Sequence, residues 1–134
     1  MGGRALGVMD SQGACKYVNI PYTSAVVTQA YFVCQFPCRL VAISGAPRVA
    51  GAGGACTLTP WKSASGIAAG SGTALQPAGA TAFNVAGTAD TVQTLALIAD
   101  VDARTFNAGD SFSLVLSGTA TSAVGVITAV FDPV

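Results

Sequence analysis

Histidine and glutamate are both missing from this 134-residue chain, and charged side chains make up only 9% of it, against about 25% in an ordinary soluble domain. Without histidine, acid–base catalysis lacks the side chain that titrates nearest neutrality, and a cysteine nucleophile lacks its usual base. The same gap weakens a zinc site at Cys34-x-x-x-Cys38, because zinc takes four nitrogen or sulfur ligands. No enzyme activity, metal or cofactor is expected.

The few charges are also dispersed. Arg4, Lys16, Arg39, Arg48, Lys62 and Arg104 balance six aspartates to a net charge of zero, so no basic run is available to neutralise phosphates, and nucleic acid is not an expected partner. Long apolar runs are lacking too: alanine and valine alternate with threonine, serine and glycine, far short of the roughly 18 residues of a membrane helix. No membrane partner is expected. Met1–Asp10 holds no apolar run like that of a secretory signal, and Leu6 stands where myristoylation wants serine or threonine. Residues 1–13 read as an N-terminal arm and 14–134 as one β-sandwich domain.

What is present is period-2 alternation bounded by Gly, Pro, Asn and Asp, the pattern of strands. Lys16–Ile20 is a short strand that Pro21 should end. In Thr28–Phe36, Phe32, Cys34 and Phe36 share the expected core face, with Tyr31, Val33 and Gln35 outward. Arg39–Ser44 places Val41 and Ile43 together, and the glycine-rich loop 45–54 carries Arg48 as its only charge. Cys56–Thr59 alternates before Pro60-Trp61, and residues 63–79 read as a connection. Phe83 and Val85, then Val92 and Ile98 opposite Leu95 and Leu97, mark two further strands. Phe112, Leu114 and Leu116 should face inward, with Ser111, Ser113 and Ser117 outward.

In the last strand Val124, Val126 and Val130 oppose Ile127 and Phe131, so both faces are apolar. Such a strand is central, or is covered by a neighbouring subunit. Seven or eight strands at this spacing predict an all-β fold, a jelly-roll-like or Greek-key two-sheet β-sandwich.

Candidate chemistry is sparse. Cys15, Cys34, Cys38 and Cys56 permit three pairings in an oxidising compartment, but Cys34 and Cys56 sit among apolar strand neighbours, and all four read as reduced structural thiols. Asp100-x-Asp102-x-Arg104, with Asp110 nearby, lacks the oxygen series of a calcium loop and reads as a solvated turn. Arg39, at a strand start, reads as a solvated edge charge. Three residues are the candidate protein contacts: Arg4 in the arm, Arg48 in its loop and Trp61 beyond Pro60. Trp61, with Tyr17, Tyr22 and Tyr31, also suits stacking on sugars, which makes a receptor- or glycan-binding module the alternative function.

Three stretches carry a resemblance. Phe32-Val33-Cys34-Gln35-Phe36-Pro37-Cys38-Arg39-Leu40-Val41-Ala42-Ile43, Gly70–Leu75 with Gly87–Leu95, and the closing Asn107–Thr119 followed by Ser122–Thr128 together resemble the small head decoration, or cement, proteins of tailed bacteriophages. The resemblance implies a jelly-roll-like sandwich that self-associates as a homodimer or homotrimer. It also implies a place on the outer surface of the virion capsid, between major capsid proteins, after synthesis in the host cytoplasm. Catalysis is no part of it.

Overall fold

The structure, a computed structural model, describes residues 16–23, 28–119 and 121–134. The arm at 1–13, including Arg4, and Cys15 lie outside the described residues. Within them the chain forms ten strands and no helix: β1 (Lys16–Tyr22), β2 (Gln29–Val33), β3 (Cys38–Val49), β4 (Cys56–Ser63), β5 (Thr73–Ala74), β6 (Phe83–Asn84), β7 (Gln93–Thr94), β8 (Thr105–Phe106), β9 (Ser111–Gly118) and β10 (Val124–Pro133).

One sheet runs β1-β10-β3-β7, with β8 also on β3; the other runs β2-β9-β4-β5, with β6 also on β4. Every pairing is antiparallel. The short strands β5 and β6 share one position beside β4, and β7 and β8 share one beside β3. Taken as single positions they leave eight, ordered 1-8-3-6 in one sheet and 2-7-4-5 in the other, which is the double Greek key of a jelly roll. The expected all-β sandwich is therefore present.

Its core is aromatic at one end. Phe112 on β9 stacks on Phe32 of β2 at 5.3 Å between ring centroids, and meets Phe131 of β10 edge-on at 6.0 Å and Phe106 of β8 at 6.4 Å. Rings from both sheets thus interlock, in the offset and edge geometries that aromatic quadrupoles favour. Toward the other end, Phe83 and Tyr22 pack edge-to-face at 5.8 Å. Gly45 makes room there: a Cβ at that position would lie 2.7 Å from the Phe83 ring and 2.8 Å from the Val126 carbonyl oxygen.

Prolines and bulges account for where the strands depart from simple alternation. Pro21 does not end β1 but lies inside it, because β1 is an edge strand and an edge tolerates a missing N–H. Pro60 lies within β4, between the segments that pair with β6 and β5, and its carbonyl accepts from the Leu75 amide at 3.0 Å. In β3, Ala42 faces Val130 while Leu40 faces Phe131, which leaves Val41 as the extra residue of a bulge. Val41 and Ile43 are consequently not on one face; Leu40 and Ile43 are the buried pair. Phe36 is exposed rather than core, since it falls beyond the end of β2, and Ser113 is fully buried rather than outward.

Tyr22 yields a direct expectation. Its ring is buried over Gly125, its hydroxyl has no partner among the described residues, and burial foremost, then the Cys56 thiol, raises its pKa to about 12. The unfolded phenol titrates near 10, so Tyr22's contribution is fully present below pH 10 and is lost as pH climbs toward 12. Urea midpoints measured at pH 9 and pH 11 should show a drop that is smaller in Tyr22→Phe. The same variant at neutral pH should be as stable as the parent or more so, because it removes an unpaired buried hydroxyl.

Candidate protein-contact face

The outward residues of β1, β10 and β3 line up in rows across the first sheet. Tyr17, Val130 and Ala42 form one row; Asn19, Thr128 and Ser44 the next; Pro21, Val126 and Ala46 a third. The outer rows are apolar, and in the middle row the Thr128 hydroxyl donates to Asn19 Oδ1 at 2.9 Å, so the polar pair there is satisfied locally. Tyr17 is 70% exposed and Val126 38%. These three rows contain no charged side chain.

Charge appears only where the rows end. At one end Arg39 faces Asp132 across the β3–β10 ladder. At the other, Arg48 and Asp90 border a shallow groove of about 320 Å³ floored by Ala46, Pro47, Val124 and Val126. A second groove, about 310 Å³, flanks the face beyond β3, between Val41, Ala42 and Leu97, with Arg104 in its wall. The result is an uncharged platform with charged ends, the composition of an interface core rather than of a solvated sheet.

The sequence-derived contacts divide between opposite sides of the molecule. Arg48 is not in a loop: β3 continues to Val49, and Arg48 is the exposed residue between Val49, paired with Val124, and Pro47, paired with Gly125. Trp61 is a strand residue on the outer side of the second sheet, between Ser113 of β9 and Ala74 of β5. Its cross-strand partner Ser113 is buried, and its indole N–H donates to Thr59 Oγ1 at 3.2 Å. The part of Trp61 that remains open therefore offers apolar surface. Arg4 lies outside the described residues, and the structure does not bring Arg48 and Trp61 together.

The other basic residues within the described chain are tied into the fold. Lys62 Nζ donates to the Thr105 carbonyl at 2.9 Å and the Asp102 carbonyl at 3.4 Å, and Arg104 Nη1 donates to the Leu40 carbonyl at 2.9 Å. Arg39 is not an edge charge, because β3 lies between β10 and β7/β8; its Nε donates to Thr105 Oγ1 at 3.1 Å. Lys16 lies over the Phe36 ring at 4.4 Å. Asp100 and Asp110 accept the backbone amides of Asp102 and Asn107, the bonding of turns. Among the described residues no group of three or more Cys, Asp, Glu or His is placed to hold a metal ion.

Sequence reasoning offered Tyr17 only for sugar stacking and missed Pro21 and the alanines of β3 as surface residues. The available signal was the apolar outer half of β10. No protein-family model matches the chain, and no curated protein matches it. Among solved structures it is similar to one described as "Bacillus endospore appendages form a novel family of disulfide-linked pili", at 18% identity over 90% of this chain and 87% of that one, with a TM-score of 0.35. A likeness of that degree carries no argument about function.

Proposed function

We propose that this protein is a structural component that acts by binding other protein, and specifically a capsid decoration protein. It sits on the outer surface of a tailed-phage head between major capsid proteins and stabilises the shell. The observation that carries the reading is the uncharged platform of β1, β10 and β3 with charge confined to its ends. The strand and turn pattern of the sequence, which resembles that of cement proteins, supplies the partner.

Size decides how much of the molecule must take part. Three strands about 4.8 Å apart, paired over some seven residues of about 3.3 Å, give a platform of roughly 14 by 23 Å. A stable contact buries about 800 Å² per partner, out of 6573 Å² exposed here. The platform alone is too small, so the partner extends over the flanking grooves at Arg48 and Leu97. Such binding stabilises the assembled shell by mass action, and repetition over many copies multiplies the effect.

The test is addition of purified protein to undecorated, expanded heads, reading saturable binding and the temperature at which DNA is released. Val126→Asp should leave folding nearly unchanged but bury a carboxylate in the apolar rows of the contact, at a cost of several kcal/mol. Affinity should therefore fall about 100-fold or more. Trp61→Ala, on the opposite side, should bind as the parent does. Failure of the parent to bind heads would overturn the capsid reading; full binding by Val126→Asp would overturn the assigned face.

A further inference from the structure

Three cysteines fall within the described residues, and all three are buried free thiols. Cys56 on β4 lies beside Tyr22, at the far end of β1 from Lys16. Cys34 and Cys38 form a pair apart from it. Their sulfurs are 3.4 Å apart, separated in the chain only by Gln35, Phe36 and Pro37.

The backbone holds both in place. The Cys34 amide donates to the Asp110 carbonyl at 2.8 Å, and the Cys34 carbonyl accepts from the Gly109 amide at 2.8 Å. Cys38 opens β3, paired with Phe106 on one side and Pro133 on the other. A disulfide has an S–S length near 2.0 Å, so bond formation needs the sulfurs to close by roughly 1.4 Å. That is within reach of side-chain rotation, with the strands left where they are.

Cys38 is also reachable. It forms part of the wall of a cleft of about 160 Å³ between the edges of the two sheets, lined by Val18, Phe32, Phe36 and Phe131 and bordered by Lys16 and Asp132. The opening admits small oxidants, although each thiol is about 95% buried. We propose that Cys34 and Cys38 are a reversible dithiol–disulfide site, closed by a hydroperoxide that enters through this cleft.

The chemistry balances as two steps. The Cys38 thiolate attacks the hydroperoxide: an S–O bond forms, the O–O bond breaks, and the departing oxygen takes a proton and leaves as water or alcohol. The sulfur of Cys34 then attacks the Cys38 sulfenic acid; the S–S bond forms, the S–O bond breaks, and water leaves with the Cys34 proton. Two thiols are oxidised and one peroxide is reduced; a dithiol reductant reverses the change by exchange. Burial holds the Cys38 thiol above its ordinary pKa, as does Asp110, while Cys34 and the Lys16 ammonium act the other way. Reaction is accordingly slow in a resting protein and selective for small, uncharged peroxides. The new bond ties the end of β2 in one sheet to the start of β3 in the other.

Cleavage after Lys16 and Arg39 releases both sulfurs in one fragment, Tyr17–Arg39, so the bond can be read directly. The folded full-length protein is treated with hydrogen peroxide, alkylated in denaturant, digested and weighed. The expected fragment is unalkylated and lighter than the dithiol form by two hydrogens; dithiothreitol restores two alkyl groups. Tm should rise by roughly 5 °C on oxidation and return on reduction. In Cys34→Ser, Cys38 has no resolving partner and should proceed to sulfinic acid. A fragment still carrying two alkyl groups, a bond from either cysteine to Cys15 or Cys56, or an unoxidised Cys38 in Cys34→Ser would each overturn the proposal.

Discussion

Phe112→Ala should lower the unfolding free energy by about 3–5 kcal/mol, the cost of removing a fully buried phenylalanine from a core that cannot collapse around the void. Phe112 is fully buried, stacked on Phe32 and set edge-on to Phe131, with Phe106 beside it. Those rings belong to four different strands in two sheets, each fixed by its own ladder, so no single neighbour can move in to fill the space. Against a total stability of about 5–15 kcal/mol for a domain, the variant should be close to unfolding at 37 °C. A denaturation curve in urea measures the loss. A shift below about 1 kcal/mol would mean that this end of the sandwich is loosely packed.

The opposite error, too much volume, is expected at Gly45. Valine there should cost about 3 kcal/mol, the upper end of what overpacking takes, and alanine less. Glycine is required at this position by space rather than by backbone angle. A Cβ would press on the Phe83 ring at 2.7 Å, the Val126 carbonyl oxygen at 2.8 Å and Ile127 Cγ1 at 3.0 Å. The ring can be trimmed but the carbonyl belongs to the β10 backbone, so Phe83→Leu should relieve part of the penalty and leave the rest. In a double-mutant cycle Gly45→Ala should couple to Phe83→Leu by at least about 0.5 kcal/mol. Strict additivity would show that the clash is absorbed elsewhere.

Much of this architecture was legible in the sequence because burial in a sheet imprints a period of two. Phe83 and Val85, Phe112 and Leu114, and Ile127 and Phe131 all lie inward as their spacing indicates. The pattern failed at Val41, where a bulge adds one residue and reverses the faces of β3, and at Pro21 and Pro60, which read as strand breaks yet lie inside strands. A bulge depends on what the partner strand presents, and a proline is tolerated when its missing N–H falls at an edge or between two short ladders. Neither condition can be read from local residues.

The contact surface shows the same division. Scarcity of charge, absence of histidine and the apolar outer half of β10 are properties of the sequence, and the proposed contact role starts from them. Which residues line the proposed contact face was decided by strand order. Tyr17, Pro21, Val126 and Ala46 come from three distant segments, and only the β1-β10-β3 ladder sets them side by side. The same ladder places Arg48 at the edge of that platform, while Trp61 goes with β4 to the other side of the molecule. Cys34 and Cys38 are close in sequence, but their reach to an oxidant depends on the cleft that Val18 and Phe131 build from elsewhere in the chain. Composition and alternation, being local, determined the class of fold. Neighbourhood between sheets is a long-range property, and the tertiary structure alone determined it.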